Sequence, residues 1–237
     1  TTEIQDAVPL RTDENNVMAI PVEHSIYPAY AYMYFGSDRT ILYTGDLRIT
    51  SILNPKLHRE LYQTTLLRFL EEHQDIHIDN LIIEGTNLGI PITPLNAEHL
   101  RETLTELMKQ RGMVTIAIHN QELESALLVA EKAAEIDREI IIASNRIAEI
   151  LDFWLNRLSI KAIGDAGIHT LSSIIEAPLR NLDLIEESSI EKNPKDYVIL
   201  ADLWHMMDFL RAMDPEKIPP ESTAILLTPE PQEEEAI

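Results

Sequence analysis

Two stretches decide how the first part of this chain is read: Val17-Met18-Ala19-Ile20-Pro21-Val22-Glu23-His24-Ser25-Ile26 and Ile41-Leu42-Tyr43-Thr44-Gly45-Asp46-Leu47-Arg48. Each is an apolar, β-branched or aromatic run that stops on polar residues, which predicts a strand followed by a loop. Between them, Ala29-Tyr30-Ala31-Tyr32-Met33-Tyr34-Phe35 reads as another strand, and Gly36-Ser37-Asp38-Arg39 has hairpin turn chemistry. Residues 40–44 form the return strand. The pattern therefore sets a histidine after one strand and a Gly-Asp pair after a neighbouring one. Strand ends are where metal ligands converge, because the backbone fixes their direction and solvent still reaches an ion.

Working outward, residues 57–72 carry apolar side chains at helical spacing, and one amphipathic helix is expected there. Residues 80–84 read as a short buried strand with Leu81-Ile82-Ile83 as its core. Beyond Pro91 and Pro94 the rhythm changes. Asn96 is an N-cap for a helix reaching Gln110, and Gly112 ends it. Strands are then expected at 113–118, 139–143, 197–201 and 223–227, alternating with helices at 121–136, 146–158 and 203–213. Such alternation implies parallel βαβ units with right-handed crossovers. Residues 159–195 are less regular and suggest short connecting elements. The expected fold class is α/β, with a hairpin-rich block over 1–88 and a Rossmann-like unit over 89–237. That unit has no Gly-x-Gly-x-x-Gly after any strand, and seven glycines in the whole chain make a nucleotide cradle a poor expectation.

Of 237 residues, 45% are hydrophobic and 25% charged, as in a soluble globular protein. With no cysteine, disulfides and thiolate metal sites are excluded, which fits a reducing compartment. The longest apolar run is too short to span a bilayer, and the N-terminus lacks a signal-peptide pattern; the expected location is cytoplasmic. The net charge of −21 sets a demand on any nucleic-acid reading, since such a chain repels a polyanion at low salt. A substrate channel then needs a local lining of the few Arg and Lys, or basic surface elsewhere in a larger protein.

An imidazole and a carboxylate suit zinc or manganese. Two donors fall short of a site, since a catalytic zinc typically takes three from protein. The segment Val22-Glu23-His24-Ser25-Ile26, the hairpin, and Ile41 through Arg48 together resemble the third and fourth metal motifs of metallo-β-lactamase-fold nucleases, ribonuclease J and its archaeal relatives above all. Downstream, Leu81-Ile82-Ile83-Glu84-Gly85-Thr86-Asn87 is similar to the acidic first motif of the β-CASP group, and a Rossmann-like insertion follows it as the β-CASP cap does. The segment Ala224-Ile225-Leu226-Leu227-Thr228-Pro229-Glu230-Pro231 resembles a cap strand and turn of the archaeal members. The resemblance implies a partial metallo-β-lactamase αββα sandwich bearing a parallel β-CASP cap. It implies that His24 binds one metal, that Asp46 bridges two, and that Glu84 orients a ligand or moves a proton. Zinc is the implied cofactor, manganese the substitute, and RNA the substrate of the parent protein, with a second copy or a protein partner as further possibilities.

The departures are part of that reading. Residues 1–23 hold no His-x-His-x-Asp-His, the family's defining motif, and the later cap histidines expected beyond Glu230 are absent. The expectation is thus a central fragment, inactive alone. Tyr27-Pro28-Ala29 stands where a glycine is common, and His119-Asn120-Gln121-Glu122 where an arginine usually faces the channel. His73-Gln74-Asp75-Ile76-His77-Ile78-Asp79 imitates the missing motif but lies in the wrong order, and a solvated edge explains it better. His99, His119 and the pair Asp202 and His205 read as structural or weakly placed candidates. The rival expectations are another metallo-β-lactamase-fold hydrolase and a non-catalytic homologue that binds a protein partner.

Overall fold

The structure, a computed structural model, describes residues 10–12, 16–85, 96–158, 163, 167–175 and 179–227. The chain divides into two compact units, Thr1–Ala97 and Glu98–Ile237. Each is built by its own alternation of side chains.

The first unit contains strands β1 (Leu10–Thr12), β2 (Val17–Val22), β3 (Ala29–Phe35), β4 (Thr40–Tyr43) and β5 (Asn80–Ile82), in that spatial order. Neighbours from β1 to β4 run antiparallel, and β5 joins β4 in parallel. The period of two is plain in β3: Ala31 and Met33 are fully buried while Tyr32 and Tyr34 between them are exposed. The inner face carries Ile20, Val22, Ala31, Met33 and Leu42, packed with Leu66 and Phe69 of a helix. On the outer face, register aligns Tyr32 with Tyr43 and Tyr43 with Ile82.

Two expectations for this unit need correction. The single helix over 57–72 is two short ones, α1 (Pro55–Leu61) and α2 (Leu66–Glu72). The Tyr27 hydroxyl donates to the Leu61 carbonyl at 3.0 Å, occupying the acceptor a continuing helix would use four residues on. The Tyr27 ring packs edge-on against Tyr62, which leaves the helix in an extended conformation. Asn54 caps the start of α1 by accepting from the Lys56 and Leu57 amides at 2.8 Å. The second correction concerns β5, whose Leu81, Ile82 and following Ile83 are each more than half exposed. A continuous apolar run reads as a strand covered on both faces; here it forms the sheet's last strand.

In the second unit α3 (Ala97–Met108) leads into β6 (Val114–Ala117), α4 (Leu123–Glu135), β7 (Glu139–Ile142), α5 (Asn145–Leu158), β8 (Ile168–Leu171), β9 (Asp183–Ile185), α6 (Glu187–Lys192), β10 (Tyr197–Ala201), α7 (Leu203–Ala212) and β11 (Thr223–Leu226). The sheet order is β11-β6-β10-β7-β8-β9, and all its pairings are parallel. The α/β class expected from the alternating pattern is what the chain adopts. The strands expected at 113–118, 139–143, 197–201 and 223–227 are present within a residue at each end. The stretch 159–195, expected to be irregular, supplies β8, β9 and α6.

Ile141, Ala143, Ile199 and Ala201 on one sheet face share a core with Leu171, Ile190 of α6, and Met206, Phe209 and Met213 at α7. The alternate residues Ile140, Ile142, Val198 and Leu200 are equally buried and point the other way, where α4 and α5 pack on β7. Helix α4 is buried on nearly every side, and Glu131 within it takes a two-pronged ion pair from Arg101 of α3. Gly112 has a different reason from the helix-ending one expected. A Cβ there would lie 2.4 Å from the Ser222 nitrogen, so only glycine lets the backbone before β11 come this close.

Candidate functional site

The first unit gathers its chemistry at the ends of β2 and β4. After Val22 the chain leaves β2, and the Glu23 carbonyl accepts from the Arg48 amide at 2.7 Å, which ties the two loops together. After Tyr43, the Thr44 amide donates to the Ile82 carbonyl at 2.9 Å, and Gly45 turns the chain with φ +59°. That left-handed conformation suits glycine and redirects the backbone so that Asp46 comes up beside His24. His24 Nε2 lies 4.0 Å from Asp46 Oδ2, with the side chains 27% and 63% exposed. Both therefore remain within reach of solvent. The Leu47 amide donates to Glu84 Oε1 at 3.1 Å. The three residues singled out in the sequence, His24, Asp46 and Glu84, are thus brought to one neighbourhood. Thr86 and Asn87, the rest of the acidic motif, lie outside the described residues.

A second pair sits beside them. His58 Nε2 lies 2.8 Å from Glu23 Oε1, and the His58 ring packs against Tyr62 at 5.3 Å between centroids. Glu23 Oε2 is buried and has no hydrogen-bond partner among the described residues. A buried carboxylate oxygen left unsatisfied is costly. Sequence reasoning passed over His58, since thirty-five positions separate it from Glu23 and no local spacing announces the pair.

The imitation motif has ordinary work. His73 Nδ1 lies 2.9 Å from the Phe69 carbonyl and its ring stacks on Phe69. Asp79 accepts from the Thr40 amide at 2.7 Å, fixing the approach to β5, while His77 is almost wholly exposed. Among the described residues, no group of three His, Asp or Glu side chains is arranged to hold a metal ion. His99 and His119 are exposed. Phe153 and Trp154 contact each other edge-on, with Phe153 more than half exposed.

In the second unit a polar chain forms where β7 and β10 end side by side. Ser144 donates to Asp202 Oδ2 at 2.7 Å, and His205 Nδ1 lies 2.6 Å from the same oxygen. Asp202 also caps α7, accepting from the His205 amide at 3.2 Å. Burial pushes the Asp202 carboxyl up, and the hydrogen bonds from Ser144 and from the amide and ring of His205 more than reverse this, holding it below the ordinary carboxylate value. The sequence offered Asp202 and His205 at a strand end; Ser144 carried no signal.

No family model matches the chain, and no curated protein matches it. Among solved structures it is similar to a protein of unknown function from Enterococcus faecalis V583, with a TM-score of 0.57 and 18% identity. The match covers 95% of this chain and 55% of that one, so the chain spans about half the length of the protein it resembles. At that identity the likeness speaks to the fold. No helix among the described residues is long and apolar enough to cross a membrane.

Proposed function

We propose that this chain carries part of the active site of a metal-dependent ribonuclease with a metallo-β-lactamase αββα sandwich and a β-CASP cap, hydrolysing RNA phosphodiesters. The observation that carries the reading is the approach of His24 Nε2 to Asp46 Oδ2, 4.0 Å apart at two strand ends and open to solvent. An imidazole and a carboxylate are donors that zinc and manganese accept, so the residues fit such an ion as far as they go. They are two donors of a larger set, and His24 and Asp46 are the residues that would hold it. When bound, the metal supplies a water acidic enough to attack phosphorus near neutral pH. The chain's own part is positional. Gly45 turns Asp46 toward His24, and Glu84 holds the Leu47 amide and so fixes the Asp46 loop.

The reading has two tests. The encoding gene must carry a His-x-His-x-Asp-His segment ahead of Thr1; a start codon at that point overturns it. The protein so encoded is then assayed on labelled single-stranded RNA with zinc or manganese. His24→Ala and Asp46→Asn are expected to slow cleavage by roughly two orders of magnitude or more, and Glu84→Gln by about tenfold, as for a group that orients a ligand. Cleavage indifferent to His24 and Asp46 refutes the assignment. A second reading, a non-catalytic homologue that binds a protein partner, is favoured by the net charge of −21 and the exposed Tyr32, Tyr34 and Tyr43. A complete motif with no cleavage supports that alternative.

A further inference from the structure

We infer that the second unit binds a small cationic amine with a compact apolar body, in the cavity between α6 and α7. The inference stands apart from the nuclease reading and uses none of its residues. In this sheet β7 leads to α5 on one face while its neighbour β10 leads to α7 on the other. Such a switch opens a crevice beyond the carboxyl ends of the strands, where open α/β sheets take their ligands. A cavity of about 220 Å³ lies on the α7 face, reaching from the residues at the ends of β7 and β8 along α6 and the length of α7. Its floor and walls are Ala143, Leu171, Ile174, Ile190, Phe209 and Met213. Scaling from the ~150 Å³ apolar cavity that holds benzene, it admits roughly nine heavy atoms.

The polar side chains at its rim decide the ligand's chemistry. They are Ser173, Glu187, Glu191, His205 and Asp208. Ser173 spends its hydroxyl hydrogen on Glu187 Oε1, leaving oxygen lone pairs. The nearness of His205 Nδ1 to Asp202 Oδ2, 2.6 Å, puts that ring's hydrogen on Nδ1, so in the neutral imidazole Nε2 is an acceptor. Glu191 pairs with Lys217 and Asp208 with Arg211, and each carboxylate keeps an oxygen beyond the one so engaged. Among the described residues that line the cavity, every side-chain polar group thus offers acceptors. An anion meets no complementary side-chain donor among them, and an apolar ligand leaves them unused. An ammonium on a short apolar body satisfies both rim and interior. The Ser144–Asp202–His205 chain then acts as the support that holds the imidazole in its tautomer, and Asp202 and Ser144 are positioning residues.

The test uses three probes of nearly one size on the whole chain: 2-phenylethylammonium, 2-phenylethanol and phenylacetate, each titrated at pH 8 by calorimetry. The amine is expected to bind with Kd on the order of a millimolar or tighter, about tenfold more tightly than the alcohol, and phenylacetate more weakly than both. Glu187→Gln is expected to weaken the amine about fivefold while leaving the alcohol unchanged. Ala212→Trp, at the exposed end of α7 beside the cavity, is expected to abolish binding of both while circular dichroism stays that of the parent. Equal affinity for amine and alcohol, tighter binding of phenylacetate, indifference to Ala212→Trp, or no saturable binding below about 10 mM overturns the inference.

Discussion

Asp202 makes the sharpest thermodynamic prediction, because one carboxylate does three jobs there. It caps α7, accepts from the fully buried Ser144 hydroxyl, and accepts from the His205 ring. In Asp202→Ala the lost cap costs about 1 kcal/mol. The stranded Ser144 hydroxyl adds roughly 1–2 kcal/mol, as a buried group without a partner. The His205 ring is 43% exposed, so water replaces much of its bond and little is added. The expected loss is about 2–3 kcal/mol. Asp202→Asn keeps the cap but turns an amide toward two donors, and should cost about half as much. Both tryptophans, Trp154 and Trp204, lie in the second unit, so urea unfolding followed by tryptophan fluorescence reads that unit alone. The sign of the pH dependence follows from the lowered carboxyl pKa. Its stabilisation is complete above the ordinary value of 3.8 and is lost as pH falls through the lower folded value. The gap between parent and Asp202→Asn should therefore stay open from pH 7 to about 5 and close only below about 4. A gap that closes near pH 6, or a loss below about 0.5 kcal/mol for Asp202→Ala, refutes the account.

Gly112→Ala forces a Cβ to within 2.4–2.6 Å of backbone atoms at 221–222 and should cost about 2 kcal/mol or more in the same urea assay. Tyr27→Phe removes the buried donor to the Leu61 carbonyl and should lower stability by about 1 kcal/mol, read by thermal circular dichroism. Leu81→Lys should change stability by under about 0.5 kcal/mol, because the side chain is 57% exposed; a loss typical of a core leucine contradicts the observed placement of β5.

What was legible in the sequence is what depends on local pattern. The strands of the first unit were readable because Ala31 and Met33 alternate with Tyr32 and Tyr34, and the second unit because strand runs alternate with helical ones. The convergence of His24 and Asp46 needed only that β2 and β4 both pair antiparallel with β3, which brings their carboxyl ends to the same edge of the sheet. What failed depends on distant partners. The break between α1 and α2 coincides with a bond from Tyr27, thirty-four residues from the carbonyl it meets. Gly112 is required by a backbone a hundred residues later, and a three-residue apolar run cannot tell a covered strand from an open one. Ser144 entered the second unit's polar chain only because the order of the parallel sheet sets β7 beside β10.

His24 with Asp46, and His205 with Asp202, present the same sequence signal: an acid and an imidazole after strands. Exposure separates their chemistry. Asp46 is 63% exposed and lies 4.0 Å from its histidine, too far for a direct hydrogen bond, so both groups keep lone pairs for something between them. Asp202 is nearly buried, its Oδ2 already meets Ser144 and His205, and its other oxygen meets an amide. Both oxygens of that carboxylate are engaged, and an ion placed on them would compete with the bonds that hold α7 in place. On the two proposals made above, the first pair would receive a ligand on its own atoms, and the second would hold an imidazole still so that its far nitrogen receives one.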